Sequence, residues 1–389
     1  MGRSARQWDE SDVRVRPNRR GSRPRTKERP KHEDAVIGRV TAVDRGRWTT
    51  LVPGPPERVV TAMRARELGR TPIVVGDRVG MVGDTSGQRD TLARIVRVEE
   101  RETVLRRTAD DTDPVERVIV ANADQLVVVA ALADPEPRPR LIDRCLVAAY
   151  DAGMEPLLVL TKSDLASAED FLAQYAPLDV PHVVTSVLGA GLPALDELRE
   201  RLAGRVSVLV GHSGVGKSTL VNALVPQAHR ATGHVNDVTG RGRHTSTSAL
   251  ALRLPGLPRP EPTPSQEPRL LREGDPENSQ EPRQLREGDP ENSQEPKQLR
   301  EGDPDAAGWI IDTPGIRSFG LGHVEADTII RHFPELWEGA EDGCPRGCSH
   351  DEPDCALDAW VAEGHAGPGG EQRLDSLRRL LRARSGEDS

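Results

Sequence analysis

The sequence predicts a multidomain chain with three folded parts in series: an N-terminal β-barrel of OB type, an α/β domain of the phosphate-loop class and a C-terminal helical zinc-binding domain. Three observations carry this reading. Short β-branched runs separated by turn signals fill residues 34–106. Strand-like and helix-like runs alternate from about Arg117 to Pro255. Three of the four cysteines crowd into one short hydrophilic stretch near the C-terminus.

A length of 389 residues suits two or three domains. Only 35% of residues are hydrophobic and 3% aromatic, too few for a packed core throughout, so tails or long loops are expected. Residues 1–33 supply one of them. Met1 to Lys31 hold eleven Arg or Lys against four acidic residues and show no hydrophobic period, which reads as a disordered basic arm. Such an arm either attaches to nucleic acid electrostatically or serves as a solubilising tail. The net charge of −9 argues against uniform wrapping of a polyanion. No apolar run is long enough to cross a bilayer and the N-terminus lacks a secretory apolar core, so a cytoplasmic chain without membrane contact is expected.

In the barrel segment, AVIGRVTAVDRGRWTTLV, RTPIVVGDRV and LARIVRVEERETVL are the strand-like runs. An OB-type face commonly meets RNA, and Arg39, Arg45, Arg47 and Trp48 offer charge and stacking there; an interdomain packing role is the alternative. Residues 107–322 then form the α/β domain, with a parallel sheet covered on both faces. Its rhythm stops at residues 255–305, where a 14-residue unit beginning at Ser265 recurs at Ser279 and Ser293. This Pro-rich, charged repeat is too poor in apolar residues to stack, and is expected to be a disordered insertion. Residues 323–389 form the tail, ending in EQRLDSLRRLLRARSG, which puts Leu374, Leu377, Leu380 and Leu381 on one helix face opposite a basic one.

The chemistry begins at Gly211, His212, Ser213, Gly214, Val215, Gly216, Lys217, Ser218 and Thr219, a phosphate-loop pattern between the strand VSVLV and a helix. Its glycines turn backbone N–H groups toward phosphates, Lys217 reaches the β/γ oxygens and the Ser218 hydroxyl is a magnesium ligand. Asp312-Thr-Pro-Gly315 follows the apolar run WII and reads as the second metal motif, Asp312 facing magnesium and Gly315 presenting an N–H near the γ-phosphate. Between them lies GRGRHTSTS, in which Thr245 or Thr247 can close over the γ-phosphate through magnesium.

Upstream, Thr161, Lys162, Ser163 and Asp164 resemble the N-K-x-D guanine motif with Thr in place of Asn. Its Asp carboxylate accepts both N1–H and the exocyclic amine of guanine, and adenine offers the opposite pattern. Only five lysines occur in the chain, and Lys162 and Lys217 are two of them. TSVLGAGL, from Thr185, occupies the place of the S-A-x motif with both defining residues replaced.

The base motif thus precedes the phosphate loop, the reverse of the usual GTPase order. In this arrangement, from Ala35 to about Ala362, the chain resembles the RsgA (YjeQ) family of circularly permuted, small-ribosomal-subunit-dependent GTPases; GDRV, GHSGVGKST, GRHTST, DTPGIRSFGL and the cysteine cluster carry the likeness. The resemblance implies hydrolysis of GTP to GDP and phosphate, stimulated by the small ribosomal subunit during its late maturation, with barrel and tail gripping rRNA. It also implies magnesium bound with GTP, held by Ser218 and Thr245, and a monomer. Two other readings stay open: an RNA-binding module gated by GTP without significant catalysis, and an ATP-using phosphate-loop enzyme.

Cys344, Cys348, His350 and Cys355 supply the four ligands of one structural Cys₃His zinc site in the spacing C-x₃-C-x-H-x₄-C. Finally, Gly315 is followed by Ile316, where many GTPases place the Gln that orients the attacking water. An aliphatic side chain cannot do this. His244 is the nearest candidate to take that role, against the plainer reading of a loop histidine.

Overall fold

A computed structural model describes residues 32–108, 115–186, 192–226, 249–255, 308–313, 320–321, 323–352 and 355–385, with no side-chain description at 192–193. The basic arm up to residue 31 and the repeat insertion lie outside them. Among the described residues no helix is long and apolar enough to cross a membrane.

Five strands close the barrel: β1 (Val36–Asp44), β2 (Arg47–Val52), β3 (Arg58–Arg64), β4 (Arg78–Gly83) and β5 (Ala93–Val98). β1, β2 and β3 form an antiparallel meander, β3 pairs with β5 in parallel, and β4 closes the ring between β5 and β1. This is the partly open Greek-key order of an OB fold. Period-two alternation sends Val40, Trp48, Val52, Val60, Val79, Met81 and Ile95 inward. Trp48 is therefore a core residue, 7% exposed, with its indole N–H donating to the Ile73 carbonyl at 3.0 Å, and it offers no stacking surface. Arg45 and Arg47 remain exposed on the outside.

A hairpin of β6 (Val104–Arg107) and β7 (Arg117–Ala121) leads into the second sheet, built from β8 (Gln125–Ala131), β9 (Glu155–Thr161), β10 (His182–Val184), β11 (Val206–Val210), β12 (Leu250–Arg253) and β13 (Trp309–Asp312). Its order is β10-β9-β8-β11-β13-β12, parallel except for β12. The central strand β8 is buried along its whole length, which is why it reads as an unbroken apolar run. Alternate residues serve different faces. Val127, Val129, Leu157, Val159 and Leu209 pack with α3 (Leu192–Leu202) and α4 (Lys217–Leu224). Leu126, Val128, Leu158, Leu160 and Val208 pack on the other side with α1 (Pro139–Asp151), near the short α2 (Glu169–Ala173).

The tail adds α5 (Ala326–Ile330), α6 (Pro334–Gly343), α7 (Ala356–Ala362) and α8 (Gly370–Ser385). Leu374, Leu377, Leu380 and Leu381 of α8 join the same core as Ile142, Cys145 and Leu146 of α1. The tail thus has no separate core. Nor is the basic face of α8 free: Arg378 pairs with Asp358, Arg382 with Asp351, Arg373 with Glu335 and Arg379 with Asp143. These arginines fasten the tail to itself and to α1.

The GDRV segment is a clip between barrel and sheet. Gly76 adopts φ +92°, and a Cβ there would stand 1.9 Å from the Ala121 carbonyl oxygen, so only glycine fits. Its carbonyl accepts from Asn122 Nδ2 at 3.0 Å, while the fully buried Asp77 accepts from Arg101 Nε and Nη2 at 2.7 and 2.9 Å and from the Val74 N–H at 2.8 Å. A second attachment runs along β1. Its N-terminal half pairs with β4; past a register shift between Val40 and Ala42, Ala42 pairs with Leu250 of β12.

Asp143 lies almost wholly enclosed between Arg379 and Tyr175, and burial pushes its carboxyl up to about 6 despite the attraction of the Arg379 guanidinium. An unperturbed Asp sits near ~3.9, so the folded chain holds this proton more tightly than the unfolded one. The resulting stabilisation is full below that value and is lost as pH rises through about 6. Asp143→Asn is expected to remove a loss of about 2–3 kcal/mol that falls between about pH 4 and about pH 6. Urea midpoints across that range check it; an equally steep decline in the variant would assign the effect to another group.

Candidate nucleotide-binding and zinc sites

The phosphate-loop segment leaves the carboxyl end of β11, whose five residues are all buried between β8 and β13. Gly211 passes so close to β8 that a Cβ would come within 2.5 Å of the Val129 carbonyl oxygen. Gly214 and Gly216 take φ of +87° and +90°, which turn the loop back onto the first turn of α4. The helix starts at Lys217, and its unpaired N–H groups and positive dipole end face the loop, an arrangement suited to phosphate. Val215 is buried in the core beneath and pins the loop, while Ser213, Gly214, Ser218 and Thr219 are exposed around it. His212 is half-buried, its Nδ1 2.9 Å from the Ser213 carbonyl oxygen.

Lys217 and Asp312 are separated by 95 residues, yet the parallel pairing of Leu209 with Asp312 brings them together. The Lys217 ammonium donates to the Asp312 carboxylate and to the Thr313 carbonyl. Thr313, 1% exposed, donates its hydroxyl to the Leu209 carbonyl at 2.7 Å and so fixes the end of β13 against β11. A cation and a carboxylate at the mouth of a parallel sheet, beside a helix N-terminus, can cradle a phosphate chain and its metal.

β9 delivers the TKSD segment to the same end of the sheet. Thr161 is 2% exposed and its hydroxyl donates to the Val215 carbonyl at 2.6 Å. It therefore ties the two loops together instead of facing outward. Lys162 takes φ +59° and its ammonium donates to the Asp134 carbonyl. The Ser163 N–H donates to the Thr185 carbonyl at 3.4 Å, and exposed Asp164 accepts from the Ser186 hydroxyl at 2.5 Å. Ser186 is the residue the sequence reading missed. It follows Thr185 in the segment TSVL, and its hydroxyl orients the Asp164 carboxylate. His244, Thr245, Thr247, Gly315 and Ile316 lie outside the described residues.

In the tail, positive φ at Gly347 and His350 folds the cysteine loop tightly. The ligand atoms of Cys344, Cys348, His350 and Cys355 all lie within 4.8 Å of one another. Cys355 Sγ stands 3.7 Å from Cys344 Sγ, 3.9 Å from Cys348 Sγ and 4.0 Å from His350 Nδ1. A zinc–sulfur bond of about 2.3 Å gives a tetrahedral edge of about 3.8 Å, so the four groups fit a closed zinc site. Burial pushes all three thiols up, Cys348 to about 11, where a hydrogen bond to Glu352 adds to the effect. A dication reverses that preference and draws thiolates from them. The loop is buckled from outside by Arg378, whose Nε donates to the His350 carbonyl at 3.0 Å, and by Arg382 on Asp351 at 2.7 and 2.8 Å.

Comparison with known proteins agrees with this geometry. The family model described as RsgA GTPase matches residues 98–257. A relative in Pseudomonas aeruginosa named small ribosomal subunit biogenesis GTPase RsgA is 37% identical over 270 residues, or 68% of this chain and 63% of its own length. The match thus spans less than two thirds of that relative. A Pseudomonas putida protein of the same name is 34% identical over 322 residues, covering 82% of this chain and 76% of its own. Among solved structures, YjeQ from Thermotoga maritima superposes with a TM-score of 0.56 at 23% identity, over 90% of this chain and 99% of that one. YloQ, described as a circularly permuted GTPase, gives 0.53 at 18% identity over 93% and 99%. These two establish likeness of fold, including the permuted order seen here. By the identity and coverage of the Pseudomonas putida relative, together with the family-model match over the segment that holds the phosphate loop, the chain belongs to the RsgA GTPase family.

Proposed function

We propose that the chain hydrolyses GTP to GDP and phosphate, that the small ribosomal subunit stimulates this turnover, and that it acts in late maturation of that subunit through contact with rRNA. The observation that carries the reading is the meeting of Lys217 and Asp312 across β11 and β13, at the end of the sheet where Asp164 is held by Ser186. In this reading the loop N–H groups and Lys217 bind the β and γ oxygens, and the Asp164 carboxylate selects guanine by its two donors. Thr161 and Lys162 set the position of that carboxylate, Ser163 belongs to the same loop, and Gly315 gives an N–H to the γ-phosphate. Magnesium, held by Ser218 and Thr245 with Asp312 nearby, neutralises phosphate charge. The relatives' names supply the ribosomal context. On the barrel, exposed Arg45 and Arg47 with the exposed apolar residues Val59 and Met63 form a mixed outer face that suits a nucleic acid better than a closed protein core does. The α8 arginines contribute less to rRNA contact than their number suggests, being engaged in ion pairs.

Hydrolysis measured with GTP and with ATP, each with and without small subunits, tests the whole reading. Turnover of ATP equal to that of GTP would refute guanine selection, and the absence of any stimulation would refute the ribosomal role. Lys217→Ala should lower turnover by at least about a hundredfold. Asp164→Asn should cut the GTP-over-ATP preference by about 10- to 100-fold, the worth of a charged hydrogen bond.

His244 is proposed to orient the attacking water, since Ile316 cannot. His244→Ala should then lose most stimulated hydrolysis and keep its nucleotide affinity, with Ile316→Ala less affected. Normal stimulated turnover in His244→Ala would transfer the role to a ribosomal group.

Cys344, Cys348, His350 and Cys355 are proposed to hold one structural zinc ion. Elemental analysis should find zinc equimolar with wild-type chain and absent from Cys348→Ser. Because the tail shares its core with α1, that loss should lower the melting temperature of the whole unit. Zinc-free wild type would strike the site from the account.

A further inference from the structure

The barrel touches the sheet in two places of different character. At the Gly76 clip the contact is buried, tight and hydrogen-bonded through Asn122. At the other, β1 meets β12 at a single paired position, Ala42 with Leu250, both half-buried. At the opposite end of β12, Glu57, in the β2–β3 loop of the barrel, makes a bidentate ion pair with Arg253, Nη1 to Oε2 measuring 3.0 Å. The Arg253 guanidinium also lies 5.0 Å from the ring centroid of buried Trp309, on β13. One rung of the ladder then runs straight through the junction: Ala42 opposes Leu250, Leu250 opposes Asp312, and Asp312 opposes Leu209. The barrel is two strands from the carboxylate that Lys217 holds.

We propose that Glu57 and Arg253 are positioning residues that couple the barrel to the nucleotide site, so that a displacement of Asp312 is transmitted across β12 to β1 and a load on the barrel is transmitted back. This rests on the GTPase reading above. The geometry favours coupling over simple fastening for two reasons. About a third of each side chain is exposed, 35% for Arg253 and 33% for Glu57, so the pair adds little to stability. A bidentate guanidinium–carboxylate pair nevertheless fixes direction and register, and Arg253 grips β12 and β13 together through Trp309. A contact that is weak in stability and strict in geometry is suited to a joint that shifts between two arrangements.

Backbone amide exchange of the full chain, read with GDP and with a non-hydrolysable GTP analogue, tests the idea, with fluorescent-nucleotide titration of the same samples. In wild type, exchange at Ala42, Val43 and Asp44 should differ about threefold or more between the two nucleotides. In Arg253→Glu and in Glu57→Arg that difference should vanish while nucleotide affinity stays within about twofold of wild type. The double exchange, Glu57→Arg with Arg253→Glu, should restore it, a rescue that a merely structural contribution does not produce. The proposal is overturned if β1 exchange is the same in both nucleotide states of wild type, if the single variants keep the full difference, or if the double exchange fails to restore it. Wild type that binds neither nucleotide in the titration would instead overturn the GTPase reading, and this one with it.

Discussion

A lysine ammonium enclosed in protein needs an opposite charge and good acceptors, because desolvation otherwise costs several kcal/mol. Lys217 meets that need through Asp312 and the Thr313 carbonyl, and much of the architecture follows from it. The carboxylate must come from the strand beside β11, so the chain has to return after the insertion and lay β13 there. Thr313 then locks the strand end, and β12 can add only at the outer side of β13, where it runs antiparallel. The barrel attaches at that outer strand. The position of one buried cation thereby sets the strand order from the phosphate loop to the N-terminal domain.

Permutation places the tail in the same logic. With the base motif moved ahead of the phosphate loop, the chain leaves the sheet after β13, which ends at Asp312, and next forms α5 from Ala326. The tail does not hang from this linkage alone. Its final helix shares a core with α1, and Arg379 and Arg144 reach across to Asp143 and to the Ala383 carbonyl. The helix that follows β8 thus packs against the cysteine-bearing domain, and its Leu141, Ile142 and Cys145 line a cavity together with Gly211, His212 and Val215.

Much of this was legible in the sequence because the features are local. Glycine spacing at Gly211 to Gly216, the apolar run before Asp312 and the cysteine spacing each follow from chemistry within about a dozen residues. The barrel strands were legible from β-branched runs in the same way. What escaped depends on contacts across the chain. Trp48 looked available for stacking, but strand parity turns it inward toward Ile73. The arginines of α8 looked like a free basic face, but their acidic partners come from other helices and loops. Ser186 was passed over because its hydrogen bond to Asp164 joins two loops that are apart in the sequence. Thr161 looked like a weakened asparagine; its burial and its bond to Val215 give it a structural purpose of its own.

The pairing of β1 with β12 also bears on how copies of this chain coexist at high concentration. An open sheet presents two edges whose unpaired amides and carbonyls can recruit strands from other molecules. Here one end of the sheet is β12, a strand of four residues met by β1 at Leu250, and the other end is β10, a strand of three residues. A strand so short offers a poor template for cross-molecular pairing. The shortness of the strands at both ends of the sheet thus limits cross-molecular pairing, and β1, which precedes β12 in the chain, is made before the strand it meets.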